Sequence, residues 1–289
     1  MMLFSRHQKE SRILDAQNIR NDFYSNIMDW GENNILANSN VFKLFKATNN
    51  KFPTSVSWSE DTNYLAIGYM NSELQLWDAE TSKPIRILQV RATNNVISWV
   101  KAHKAEVCGL KWTRGNILAS GGNENHVYVW DLAKRSSSNF LHCFKDHCAA
   151  VKALSWCPYD SSVLASGGGT EDRSIKLWNV KKGTIICSID PKALVCGLEW
   201  NRHHKELLSG HGFSTSAHHN QLCMWTHPSM TKVGGLDCHA SRVLHLCQSP
   251  DGLTVVSVGA DKTLRFSDVF GPPVNNTSEI SNLDNLLSL

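Results

Sequence analysis

A recurring string, a short alternating run that ends in tryptophan and an acid or amide, constrains this chain more than any other feature of it. It occurs as Leu74-Gln-Leu-Trp77-Asp78, Val127-Tyr-Val-Trp130-Asp131, Ile175-Lys-Leu-Trp178-Asn179 and Leu222-Cys-Met-Trp225. A fifth copy, Leu264-Arg-Phe-Ser267-Asp268, has serine where the others have the indole. Trp130, Trp178, Trp225 and Ser267 follow one another at spacings of 48, 47 and 42 residues. Inside each unit an earlier alternating run also tends to end in tryptophan: Ser55-Val-Ser-Trp58, Val107-Cys-Gly-Leu-Lys-Trp112, Val151-Lys-Ala-Leu-Ser-Trp156, Val195-Cys-Gly-Leu-Glu-Trp200 and Val243-Leu-His-Leu246. A turn such as Ser249-Pro-Asp-Gly252 follows, and then a run of small residues: Leu65-Ala-Ile-Gly68, Leu118-Ala-Ser-Gly121, Leu164-Ala-Ser-Gly167 or Val255-Val-Ser-Val258. Period-2 alternation bounded by turn residues predicts antiparallel strands, and no segment carries a long helical period.

Four strands repeated at roughly 40–45 residues are the pattern of a WD40 unit. The fold class read from the repeats is therefore an all-β propeller, in which radial repetition buries each blade's faces against its neighbours. Five clear units start near Pro53, Lys104, Ala149, Leu194 and Ser241. A partial unit, Asp29 to Ala47, precedes them with Asn34-Ile-Leu-Ala37 and Val41-Phe-Lys-Leu-Phe45. Six units result, framed by an N-terminal arm (1–28) and a C-terminal tail (272–289) around a propeller at 29–271. In the unit from His147 to Trp178, the residues His147, Ser166, Asp172 and Trp178 stand at the positions of a buried hydrogen-bonding tetrad. Such a set is tolerated inside a fold only when every member is paired, so these residues read as structural and not catalytic. The last unit has His239, Ser257 and Asp261, but Ser267 supplies no indole.

Charge and cysteine usage narrow the function classes. With 29 basic and 26 acidic residues in 289, the net charge is +3. That near balance provides no long-range field to draw nucleic acid or an anionic membrane, so no nucleic-acid or membrane partner is expected. The nine cysteines are odd in number and form no Cys-x-x-Cys pair. They read as small buried hydrophobes in a reducing compartment, which with the lack of a signal-like apolar run points to cytoplasm or nucleus. His203, His204, His211, His218 and His219 cluster in one unit, without metal-ligand spacing, in sequence that reads as polar loop. Gly167-Gly-Gly169 lies between strands and not before a helix, which argues against phosphate binding. Lys134-Arg135 with Ser136-Ser-Ser138 reads as a solvated loop. Neither an enzyme constellation nor a cofactor or metal site is expected.

Several strings are more specific than the repeat itself: Arg12-Ile-Leu-Asp-Ala16, Asn21-Asp-Phe-Tyr24, Met28-Asp-Trp30, His103-Lys-Ala-Glu-Val-Cys-Gly-Leu110, Ala149-Ala-Val-Lys-Ala-Leu-Ser-Trp-Cys-Pro158, Gly167-Gly-Gly-Thr170, Lys205-Glu-Leu207, His211-Gly-Phe213 and Ser241-Arg-Val-Leu244. In these the chain resembles the Cdc20/Fizzy/Cdh1 family of activators of the anaphase-promoting complex, with wording most like the plant Cdc20-type members. The resemblance implies a non-catalytic receptor that holds short degradation signals against a ubiquitin ligase during mitosis. Its implied partners are ligase subunits, degron-bearing substrates such as cyclins and securin-like proteins, and mitotic checkpoint proteins. For the KEN box it implies Asp22, Phe23, Asn123, Thr170 and Arg242, with Leu194 departing from the family's usual glutamine. For the D-box it implies Asp15, while Lys262 stands where the family has an acid and would repel the degron's arginine.

Three further departures shape the expectation. Relatives carry a C-box in a long N-terminal arm and finish in an Ile-Arg dipeptide, whereas only ten residues precede Ser11 and the last four are Leu286-Leu-Ser-Leu289. Relatives also have seven blades. Here Arg86-Ile-Leu88 is followed at once by Val90-Arg-Ala-Thr-Asn-Asn-Val-Ile-Ser-Trp-Val100, which resembles the tail of a blade whose inner strands are missing. Beside a working receptor, the sequence therefore leaves open a degenerate paralogue, or a generic scaffold or competitor that binds degrons without docking the ligase.

Overall fold

The computed structural model describes residues 9–17, 19, 21–30, 36–37, 52–59, 63–78, 83–88, 103–113, 116–131, 140–212 and 221–271, and the regular structure within them is strand. The chain begins with β1 (Lys9–Asp15), β2 (Asp29–Trp30) and β3 (Leu36–Ala37). Then comes a four-stranded sheet of β4 (Pro53–Trp58), β5 (Tyr64–Tyr69), β6 (Leu74–Asp78) and β7 (Lys83–Leu88). The second blade is β8 (Val107–Thr113), β9 (Ile117–Gly122), β10 (Val127–Asp131) and β11 (Phe140–Phe144). The third is β12 (Val151–Trp156), β13 (Val163–Gly168), β14 (Ile175–Asn179) and β15 (Thr184–Ile189). The fourth is β16 (Leu194–Trp200), β17 (Glu206–Gly212), β18 (Gln221–Thr226) and β19 (Thr231–Asp237). The last contains β20 (Val243–Gln248), β21 (Val255–Gly259) and β22 (Thr263–Asp268), with β1 pairing against β22 as its outermost strand.

Neighbouring blades touch through their first strands: β4 packs on β8, β8 on β12, β12 on β16 and β16 on β20. A strand placed there is covered on both sides. Accordingly β12, β16 and β20 are buried along their whole length, while outer β15 exposes Ile185 and Ile186. Apolar clusters fill the wedges between blades. Ile175 and Leu177 of the third blade, for example, pack with Val195, Leu198 and Leu207 of the fourth. Burying a side chain of this size contributes about 1.5–3 kcal/mol, so these wedges supply the main adhesion between sheets.

The inner-strand tryptophans add a directional bond to each wedge. Trp112 Nε1 donates to Ser57 O at 3.1 Å, Trp156 Nε1 to Lys111 O at 3.0 Å and Trp200 Nε1 to Ser155 O at 3.2 Å. In every case the acceptor belongs to the preceding blade. The repeated tryptophan at the end of the first strand is thus an inter-blade tie as well as core.

Among the described residues five four-stranded blades form, close to the six units expected, and the pair β2–β3 stands where the sixth unit begins, with Asp29 opposite Ala37 and Trp30 opposite Leu36. The runs 41–45 and 90–100 lie outside the described residues, as do the expected tail at 272–289, His218, His219 and the 134–138 loop. Of the arm expected at 1–28, the described residues include strand β1 and a segment that contacts the blades. β1 covers the outer edge of β22, whose N–H and C=O groups would otherwise stand unpaired, which is the general hazard of an edge strand. Residues 21–30 then run between the last and first blades: Asn26 N donates to Thr54 O at 2.5 Å, Val56 N to Asn26 O at 3.0 Å, and β2 touches both β4 and β20.

Candidate peptide-binding face

In every blade the first strand runs from one axial face to the other and the second returns. Hence the starts of β8, β12, β16 and β20, and the turns that follow β9, β13 and β21, share one face. The residues expected at the KEN-type site all belong to this face. Asp22 forms an Asx turn, its Oδ1 accepting from Tyr24 N at 3.0 Å. Phe23 is 8% exposed and packs with Cys108, Ala150, Leu194 and Cys196, so it plugs the mouth of the axial channel. Leu194, the departure from the family's glutamine, is buried in this plug and forms part of its apolar floor.

Asn123 and Thr170 are exposed in the turns after β9 and β13. Backbone bonds hold both turns against the channel mouth: Asn123 N donates to Glu106 O at 2.9 Å, and Gly169 N to Ala150 O at 3.0 Å. The Gly167-Gly-Gly169 string has a packing reason. An added Cβ at Gly168 would stand 2.1 Å from Asp172 Oδ2, so the turn leaves no room for a side chain there.

Charge is distributed unevenly around the mouth. Burial, together with the nearby Asp22 carboxylate, pushes the Glu106 carboxyl up to about 7. Below Phe23 lies Lys152, fully buried, whose Nζ donates to Leu244 O and sits 5.5 Å from the Phe23 ring centroid. Burial pulls this amine down to about 8. Just before β20, Arg242 donates from Nε to Asn21 Oδ1 at 2.8 Å and from Nη2 to Asn21 O at 3.0 Å. Two carboxyl groups, Asp22 and Glu106, and the Arg242 guanidinium thus gather around the Phe23 plug.

Asp15 and Lys262 meet at the outer rim of the same face. Asp15 pairs with Thr263 at the end of β1, and Ala16 N donates to Lys262 O at 2.8 Å. Both side chains are exposed, with Asp15 Oδ2 accepting from Gln17 Nε2 at 2.8 Å.

The tetrad forms as a chain of donors. Trp178 Nε1 donates to Ser166 Oγ at 2.7 Å, the Ser166 hydroxyl donates to His147 Nε2 at 2.6 Å, and His147 Nδ1 donates to Asp172. Burial raises the Asp172 carboxyl, but the bonds from His147 and Ser174 outweigh this and hold it below the usual range.

Two further networks were not identified from the sequence. In the second blade His103 Nδ1 meets Glu124 Oε1 at 2.5 Å, and Ser120 Oγ links His103 Nε2 (2.6 Å) to Trp130 Nε1 (2.8 Å). The signal was present, since His103 stands four residues before Val107 as His147 does before Val151. A glutamate in place of aspartate hid the match. In the fourth blade His211 overturns its reading as loop, because it lies in β17. Ser209 Oγ is 2.6 Å from His211 Nε2 and accepts from Trp225 Nε1 at 2.7 Å, while His211 Nδ1 donates to Leu194 O at 3.3 Å. With no carboxylate beside it among the described residues, burial pushes this imidazole down to about 4.

Known proteins match this arrangement at the level of the whole chain. The family description CDC20/Fizzy WD40 domain matches residues 83–266, and a second, Anaphase-promoting complex subunit 4 WD40 domain, matches 34–102. The chain belongs to the Cdc20/Fizzy family. An Arabidopsis thaliana protein named Cell division cycle 20.5, cofactor of APC complex, is 40% identical across 94% of this chain and 70% of its own length. The Dictyostelium discoideum Anaphase-promoting complex subunit cdc20 is 38% identical across 91% of this chain and 61% of its own length. A chain of a solved structure described as Crystal Structure of Mitotic Checkpoint Complex superposes with a TM-score of 0.72 at 30% identity, covering 94% of this chain and 95% of that one. The alignment to the Arabidopsis relative spans 321 positions but takes in 94% of this chain, about 272 of its 289 residues, so that relative carries about 49 residues with no counterpart here. About one blade's worth of sequence fits that difference.

Proposed function

We propose that this Cdc20/Fizzy-family chain is a non-catalytic peptide receptor and a cofactor of the anaphase-promoting complex, presenting KEN-type degrons on its channel-mouth face. The observation that carries the reading is that residues 21–23 gather the Asp22 carboxylate, the buried Phe23 ring and, through Asn21, the Arg242 guanidinium at one channel mouth. A degron lysine suits the acidic side, and a degron glutamate suits the guanidinium fork. The Asn123 amide and the Thr170 hydroxyl supply neutral donors and acceptors between them. The names of the relatives support ligase subunits and mitotic checkpoint proteins as partners. Cyclins and securin-like proteins suit the substrate role, acting in cytoplasm or nucleus.

The test is fluorescence anisotropy with a labelled KEN peptide. Arg242→Ala should weaken binding by about tenfold or more, the loss of a hydrogen-bonded charge pair. Unaltered affinity would remove the degron reading of this face. Co-purification of ligase subunits with the tagged chain separates a working cofactor from a competitor that does not dock.

For the D-box, the adjacency of Asp15 and Lys262 supports weakened recognition of a degron arginine. Lys262→Glu should tighten a D-box peptide by about fivefold, because a repulsive charge becomes attractive. No gain would count against a D-box role for this rim.

A further inference from the structure

We propose that Asn21 is a positioning residue that presets the Arg242 guanidinium for a peptide carboxylate, and so makes glutamate recognition depend on the N-terminal segment. The inference rests on the degron reading of this face. Arg242 comes from the start of the last blade, and Asn21 lies 221 positions away in sequence. Asn21 nevertheless meets it twice, with its side-chain carbonyl on Nε at 2.8 Å and its main-chain carbonyl on Nη2 at 3.0 Å. Two acceptors on the Nε–Nη2 edge fix the plane of the fork. A carboxylate bound end-on would use the Nη1–Nη2 edge, a different pair of donors, so holding one edge aims the other.

The holder is itself anchored. Asn21 lies two residues before buried Phe23, and an Asx turn from Asp22 to Tyr24 fixes the chain around that ring. The stem of Arg242 is confined at its base by Gly212, where an added Cβ would stand 2.3 Å from Arg242 Cβ. The guanidinium is thus gripped at its base by the fourth blade and at its edge by the segment that carries Asp22. Both charges of the site therefore move as one unit with the Phe23 plug. A long arginine left loose loses more side-chain freedom on binding, and preorganisation avoids that loss.

The experiment measures two labelled peptides, one containing Lys-Glu-Asn and one Lys-Gln-Asn, against the full chain and its Asn21→Ala and Arg242→Ala variants. Asn21→Ala should weaken the glutamate peptide by about fivefold to tenfold and leave the glutamine peptide within about twofold, as expected when a bond to a charged group is lost and only the charge-bearing ligand feels it. Equal weakening of both peptides, no change, or tightening would each overturn the inference. If Arg242→Ala leaves the glutamate peptide unaffected, the degron reading falls, and the positioning role is still decided by the Arg242 Nε–H. Its exchange with solvent, followed by NMR, should be slow in the parent and fast in Asn21→Ala. Equal exchange in the two would sink the role of Asn21 without reference to any peptide.

Discussion

The second to fourth blades and the seam between the last blade and the first are built differently. Along the arc each inner-strand indole reaches a carbonyl of the preceding blade, at 3.0–3.2 Å. Each third-strand indole there also reaches a serine, at 2.7–2.8 Å. At the seam, Trp30 Nε1, Trp58 Nε1 and Ser267 Oγ are buried with no hydrogen-bond partner. The seam is held by other means. Asp29 Oδ2 accepts from Trp58 N at 2.7 Å and Ser57 Oγ at 3.3 Å, and Lys111 bridges Asp29 (3.5 Å) and Glu199 (2.9 Å). Repeated sequence thus gives repeated bonds, while the break in the repeat is closed by charge and by a segment from before the ring. That segment also carries Asn21, Asp22 and Phe23. The irregular side supplies the charged ends of the candidate site, and the regular side supplies Asn123 and Thr170 in turns of fixed shape.

Three stability measurements sharpen the contrast. The largest effect belongs to the complete tetrad. Trp178→Ala removes a fully buried indole and leaves Ser166 Oγ short of a donor, so urea denaturation should show a loss of about 4 kcal/mol. A loss below about 1 kcal/mol would mean that the arc does not depend on its networks.

The second concerns His211, whose network has no carboxylate among the described residues. Its folded pKa, about 4, lies below the ordinary imidazole value. The unfolded chain therefore binds the proton first as pH falls below about 6.5, and stability is complete at neutral pH and declines on the way down to the folded value. Denaturation at pH 7.5 and pH 5 should differ by about 2 kcal/mol from this group, and His211→Gln should flatten the difference. An equally steep profile in the variant would assign the acid loss elsewhere.

The smallest effect separates the two regions most directly. Trp156→Phe gives up a bond to Lys111 O and should cost about 1 kcal/mol more than Trp58→Phe, whose indole nitrogen has no bond to lose. Equal costs would erase the distinction between arc and seam.

Much of the arc could be read from the sequence because its geometry is local and repeated. The alternation in Val151–Trp156, the small residues in Val163–Gly168 and the tryptophan in Ile175–Asn179 each define a strand and its place in the blade. The tetrad at His147 followed from the same periodicity. His103 and His211 were missed where one member changed type or moved into the strand. The candidate site was legible only as residues matched to a family, since nothing in the spacing of Asp22, Asn123, Thr170 and Arg242 brings them together.

By itself, the sequence determined that blades form and how many strands each holds, because alternation, turn residues and the period of the tryptophans act over a few tens of residues. Tertiary structure decided how the ring closes: β1 beside β22, residues 21–30 beside β4 and β20, and the Asp29–Lys111–Glu199 cluster. It also decided that Asn21 would meet Arg242. These contacts join parts of the chain that no local pattern links. They exist only because stacking sheets around an axis returns the chain to its beginning, where unpaired strand edges and a buried charge must find partners.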